Sequence, residues 1–168
     1  MTGPPENATV LNTTVLSNFA HVDRVELLLG LPRLVTVDAV EEELEAGTET
    51  HSYIEHAMTV LDEEIPVITP SGSAEKLEEQ YLNTLDPGEA QALAVAEATD
   101  GMVVTDDGDA RATAEQRGVK LTGSIGLLVR FVEDDSLSAE TADEYLKRWI
   151  NQAGFHSPAR DFEVFLDE

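Results

Sequence analysis

Several acidic positions in this chain stand where a fold would turn them to chemistry rather than surface charge. Asp106, Asp107 and Asp109 follow Met102-Val103-Val104-Thr105, a short apolar, β-branched run of the kind that forms a buried parallel strand. Open parallel sheets bind ligands beyond the carboxyl ends of their strands. Glu89 comes three residues after Asp86 in Asp86-Pro87-Gly88-Glu89, which reads as a capped helix entry with proline in the first turn. Glu43 shares a helical face with Val40 and Leu44, and Asn12 follows the first apolar run, Ala8-Thr9-Val10-Leu11. Carboxylates gathered from such positions suit Mg²⁺ or Mn²⁺, hard cations that take oxygen ligands and keep several waters. Asn12 can coordinate through its carbonyl oxygen but brings no charge.

Each acid also has a purely structural explanation. Glu89 completes a capping box with Asp86, Glu43 ends a Glu-Glu-Glu run that suits a solvated helix face, and Asp107 or Asp109 can cap the helix that carries Arg111. Composition strengthens that alternative. The chain has 34 acids against 10 bases, a net charge of −24. Such self-repulsion disfavours a compact state in dilute buffer, whereas at molar salt the Debye length falls to ~3 Å and the repulsion is screened. The expected explanation is the surface of a protein from a halophilic organism, and a hydrophobic content of 42% argues against an acidic disordered chain.

The elements that must position these residues alternate. A strand at 8–11 leads through Asn12-Thr13-Thr14 into a helix with Val15, Leu16, Phe19 and Ala20. A second helical segment over 22–30 ends at Gly30 and Pro32, and a strand follows at 34–37. Asp38 is a capping residue for a helix over 39–46, with Glu41 at the box position. Further helices are expected over 52–61 and 74–85, with a strand at 65–69 between them. After a helix that enters at Asp86-Pro87 and runs to about Thr99, and the strand at 102–105, come a helical turn or two at 110–117, a strand at 119–121 and helices at 124–132 and 139–153. The chain finishes with Gly154-Phe155 and a short helix carrying Phe162, Phe165 and Leu166. The alternation predicts a single α/β domain over residues 1–168, a three-layer sandwich with a mostly parallel sheet, its first seven residues disordered. There is no cysteine, so disulfides, thiolate metal sites and thiol nucleophiles are excluded. No membrane span or signal peptide is visible, and the expected location is the cytoplasm.

Read together, VLNTTVLSNFAHVDRVELL, VDAVEEELEAG, LDPGEAQALAVA and MVVTDDGDARATAEQRGVKLTGSIGLLV resemble, in order and spacing, PIN-domain proteins of the VapC-like toxin type. The resemblance runs from about residue 8 to 166. It implies a PIN-like fold and a divalent-metal-dependent endoribonuclease, the toxin of a toxin–antitoxin pair, with Mg²⁺ or Mn²⁺ as cofactor. By motif, Asn12, Glu43, Glu89, Asp106, Asp107 and Asp109 are the implied metal ligands. Glu43, Glu89, Asp106 and Asp107 are the implied catalytic set. Thr13 and Thr14 stand where they would position water or substrate. The family ordinarily has Asp at the position of Asn12, and the alternative reading is therefore a weakened or inactive PIN-like binding module.

RNA is the implied substrate. Arg111, Arg117, Lys120 and Arg130 fall in or just beyond residues 85–129, where Arg111 and Arg117 can hold phosphates or pair with neighbouring acids such as Glu115. No aromatic platform for bases is evident. A small antitoxin and a homodimer are the implied protein partners, and no membrane is expected. Other motifs are weak. The histidines lack zinc-like spacing, Gly123-Ser124-Ile125-Gly126 lacks the P-loop lysine, and Asp107-Gly108-Asp109 lacks the early strand and lysine of an aspartyl phosphatase.

Overall fold

The computed structural model describes residues 4–166. Among them, five strands form one parallel sheet in the order β3-β2-β1-β4-β5: β1 (Thr9–Leu11), β2 (Leu34–Val37), β3 (Val67–Ile68), β4 (Met102–Val104) and β5 (Lys120–Thr122). The register pairs Val10 with Val35 on one side and with Val103 on the other. The helices are α1 (Thr13–His21), α2 (Asp38–Gly47), α3 (Ile54–Glu64), α4 (Ser73–Tyr81), α5 (Pro87–Ala98), α6 (Gly108–Arg117), α7 (Ser124–Glu133) and α8 (Ala139–Gln152). They surround the sheet, as the alternation of elements predicts. Of the stretch expected to be disordered, residues 1–3 lie outside the described residues, and Asn7 donates its backbone N–H to Thr99 O at 2.7 Å.

Strand order locates the ligand crevice. From β1 the chain builds outward to β2 and β3, then returns to β4 on the other side of β1 and continues to β5. The connection therefore reverses direction between β1 and β4. The carboxyl ends of two such strands splay apart into the crevice where open α/β sheets take ligands. Asn12 to Thr14 leave one side of it, and Thr105 to Asp107 the other.

Central helix α5 is apolar nearly all round, burying Gly88, Ala90 and every residue from Ala92 to Ala96. A helix without a polar face belongs inside, and alanines let it lie close to the sheet. Its capping box is present as expected: Asp86 Oδ1 accepts from Glu89 N at 2.9 Å, and the Glu89 carboxylate accepts from Asp86 N at 3.3 Å. On another part of the core, Phe19 of α1 meets Phe131 and Trp149 edge-on, with ring centres 6.0 and 5.3 Å apart. This cluster fastens α7 and α8 to α1. Among the described residues, no helix is long and apolar enough to cross a membrane.

Several local expectations are corrected. The segment before Gly30 is a 3₁₀ helix, Val25–Gly30, rather than an α-helix, and the C-terminal segment is a single 3₁₀ turn, Phe162–Phe165. The expected helix over 74–85 ends at Tyr81, beyond which Leu82 is exposed. Asp38 does not cap α2: it is the first helical residue, after Val37, and its Oδ1 is buried without a partner. The Ala39 N–H instead donates to Gln91 Oε1 at 2.9 Å. A residue from a neighbouring helix supplies the cap that local sequence offered to Asp38.

Candidate active site

Asn12 is 2% exposed, and both ends of its amide are engaged. Its Oδ1 accepts from the Thr13 N–H at 2.8 Å, capping α1, and its Nδ2 donates to Thr105 Oγ1 at 2.9 Å. The Thr105 hydroxyl also accepts from the Asp107 N–H at 3.1 Å. Asn12 thus joins the ends of β1 and β4 across the crevice.

Thr13 turns the other way and donates its hydroxyl to Glu43 Oε1 at 3.0 Å. The Glu43 carboxylate lies against the first turn of α5, where Gly88 leaves room for it. Partial loss of water raises the Glu43 pKa, an effect that the Thr13 hydroxyl opposes and the nearby Asp86 charge reinforces. Glu89 follows Gly88 and meets Asp107 side chain to side chain. Burial first, then the shared hydrogen bond with Asp107 and the charges of Asp86 and Asp107, push the Glu89 carboxyl up to about 8. A carboxyl raised this far by burial and by two neighbouring acids marks a place where negative charge exceeds what the site can solvate.

These contacts form a closed circuit running Asn12, Thr13, Glu43, Gly88, Glu89, Asp107, Thr105 and back to Asn12. It draws together parts of the chain separated by nearly a hundred residues. The acids remain arranged as neighbours in pairs. Among the described residues, no three acidic or histidine side chains converge on one point in a way that would hold a metal ion.

Asp106 stands beside the circuit, with both of its oxygens accepting hydrogen bonds. Its Oδ1 takes the Ser124 N–H at 2.7 Å, and its Oδ2 takes the Ser124 hydroxyl and the Asn18 amide. Its own N–H donates to Thr14 Oγ1 at 3.0 Å. Asp107 doubles as the cap of α6, accepting from the Ala110 N–H at 2.9 Å. Asp109 is exposed and lines a cavity with Tyr81 and Arg117, so it is not brought to the other acids. Nor is Arg117, which pairs with Glu97 at 2.7 Å and lies over the Tyr81 ring. Arg111 does lie near. It donates to Thr105 O at 3.0 Å and lines a cavity with Asp106.

Sequence reasoning missed Asn18 and Ser124, which orient Asp106, and Phe155 and His156, which line the cavities beside it. Asn18 carried a signal, being a polar residue among the apolar positions of α1. Phe155 carried none, because only the tertiary fold returns it to the crevice.

Comparison with known proteins gives a consistent result. A family model described as a PIN domain, DUF3368, matches residues 8–168. No curated protein matches the chain. Among solved structures, a VapBC-5 chain of Mycobacterium tuberculosis, a member of the VapBC family of toxin–antitoxin systems, superposes with a TM-score of 0.53 at 16% identity. The match covers 70% of this chain and 98% of that one. A chain of VapBC2 from Rickettsia felis, bound to a DNA fragment from its promoter, gives a TM-score of 0.48 at 16% identity, covering 69% and 98%.

Proposed function

Since this chain belongs to the PIN-domain family, we propose that it is a divalent-metal-dependent endoribonuclease and the toxin of a toxin–antitoxin pair. The observation that carries this reading is the gathering of Glu43, Glu89 and Asp107 from three separate elements at the β1/β4 crevice. Crowded carboxylates at a strand-end crevice are a donor set suited to Mg²⁺ or Mn²⁺, because a small hard cation needs only one or two protein carboxylates and fills its shell with water.

Glu89 and Asp107 would hold the ion, with Glu43 beside them. Asp106, whose oxygens already accept from Asn18 and Ser124, fits an orienting role better. When bound, a divalent ion supplies an acidified water for in-line attack on a phosphodiester and positive charge for the leaving oxygen. The protein's own contribution is placement. Thr13 fixes the Glu43 carboxylate, and Thr14 fixes the strand end that carries Asp106. Arg111 contributes a guanidinium at the edge of the crevice.

A second reading is favoured by Asn12. A neutral amide engaged at both ends offers less to a cation than the family's usual carboxylate, so the alternative is a weakened or inactive PIN-like module. The charge of −24 fits a protein that works in concentrated salt in the cytoplasm of a halophile. The Mycobacterium tuberculosis neighbour belongs to a toxin–antitoxin system, which supports a small antitoxin as partner here, and a homodimer is part of the same proposal.

The test is an RNase assay in high salt with Mn²⁺, comparing wild type, Glu43→Gln and Asn12→Asp. Cleavage lost in Glu43→Gln supports the nuclease. Cleavage gained only in Asn12→Asp supports the weakened site, and equal background from all three rejects catalysis.

A further inference from the structure

Two cavities of about 390 Å³ each have Asp106 in their lining. Arg111, Ile125 and Phe165 line one, and Thr13, Thr14 and Asn18 line the other. Phe155 and His156 line both. These two residues follow α8 and, with Asp106, are common to both cavities. The segment is anchored: the Phe155 N–H donates to Trp149 O at 3.0 Å, and its ring packs 5.7 Å from that of Trp149. Trp149 in turn donates its indole N–H to Asn18 O at 2.7 Å, and the Asn18 amide donates to Asp106. The Phe155 ring and the Asp106 carboxylate are therefore held by one chain of contacts.

Each cavity falls within the range of about 300–1,000 Å³ typical of small-molecule sites. The lining combines aromatic faces with a guanidinium, an imidazole and hydroxyls. A nucleotide needs that combination, with a π-face for the base and cationic or hydroxyl donors for phosphate and sugar. Net charge narrows the choice further. With 34 acids against 10 bases, the protein repels a polyanion at long range, so counterion release cannot supply most of the affinity. Stacking is insensitive to salt and can.

We propose that the two cavities hold successive nucleotides of single-stranded RNA beside Asp106, with Phe155 as the stacking platform and Arg111 and His156 as phosphate contacts. This rests on the nuclease reading and names residues through which the same site grips its substrate.

Fluorescence anisotropy with a short labelled oligoadenylate, in EDTA to prevent cleavage, reads the binding. Phe155→Leu keeps an apolar group against Trp149 but removes the π-face, and it should weaken binding about tenfold. Phe155→Trp should restore the affinity, which a role confined to folding would not require. His156→Gln should weaken binding about threefold, at the low end of the net worth of one hydrogen bond. Wild-type affinity should hold or rise as KCl goes from dilute to molar, where a backbone-driven binder loses about a thousandfold or more. If the wild type cleaves the oligoadenylate with Mn²⁺ while Phe155→Leu and His156→Gln bind and cut as it does, the subsite is overturned and the nuclease stands. If the wild type neither binds nor cuts RNA, both readings fall.

Discussion

A methyl group placed on Gly88 would have its carbon 2.0 Å from Glu43 Oε1 and 3.1 Å from Glu43 Cδ. The first turn of the central helix has no side chain there, and the space is taken by a carboxylate from α2. Gly88→Ala should therefore displace Glu43 and break its hydrogen bond with Thr13. The backbone gains from the change, since alanine is favoured over glycine in a helix by about 1 kcal/mol, and the obstructing atom is the mobile end of a long side chain. The expected result is an unchanged or slightly raised melting temperature with Mn²⁺-dependent RNA cleavage reduced about tenfold or more. Wild-type activity in a well-folded Gly88→Ala protein would show that Glu43 need not stand where it does.

Asn12→Asp should be tolerated by the fold. The Thr13 N–H can donate to a carboxylate as it does to the amide oxygen, and a negative charge at the start of α1 is favoured by the helix dipole. The Thr105 hydroxyl, which now accepts from Asn12 Nδ2, can rotate and donate instead. An added charge in the circuit should tighten Mn²⁺ binding about tenfold, as ligand charge count does in oxygen-ligated sites. Isothermal titration calorimetry on both proteins checks this, and equal affinities would remove Asn12 as the source of weakness.

The sheet and its acids were legible in the sequence because strand-sized apolar runs alternate with capped helices and the acids follow strand ends. Asn12 as the cap of α1 and the Asp86–Glu89 box could be read from a few adjacent residues. Asp38 could not: its local pattern is that of a cap, yet Gln91 from α5 takes the helix start, a tertiary contact overriding local preference. Asp106 and Asp107 were indistinguishable as neighbours in one dimension. In the fold they face different partners, Ser124 and Asn18 for one and Glu89 for the other. Arg117 looked available for phosphate because Glu97, twenty positions away, gives no sequence sign of pairing with it.

Tyr81, Glu97 and Arg117 tie α4, α5 and α6 together away from the crevice. Tyr81 is 5% exposed and donates its hydroxyl to Glu97, while Arg117 Cζ lies 5.4 Å from the ring centre. Burial and the Glu97 partner push the phenol up to about 12, so it stays a donor throughout the working range of pH. Tyr81→Phe should cost about 1 kcal/mol in denaturant unfolding, the net worth of one hydrogen bond. Arg117→Ala should cost less, about 0.2–1 kcal/mol for a partly exposed pair, and leave RNA cleavage per folded molecule unaltered. Loss of cleavage beyond the loss of folded protein would return Arg117 to the substrate path.

Glu89 should make stability depend on pH. Unfolded, its carboxyl releases its proton near pH 4.3; folded, burial and Asp107 hold the proton to about pH 8. Between those values the folded state carries the extra proton, so stability falls as pH rises. The contribution is fully present below about pH 4.3 and is lost as pH passes 8. Glu89→Gln cannot ionise, keeps the capping role because the box accepts Gln, and can donate to Asp107. Its melting temperature should match that of the wild type near pH 4 and exceed it at pH 8 to 9. Mn²⁺ should reverse the order at pH 8, raising the wild-type melting temperature as the cation takes the place of the shared proton and leaving Glu89→Gln where it was. Parallel melting curves for the two proteins across this range, with and without Mn²⁺, would show that Glu89 and Asp107 neither share a proton nor bind the ion. A more stable variant without cleavage would instead mean that the wild type tolerates two crowded carboxylates for the sake of the cation they hold.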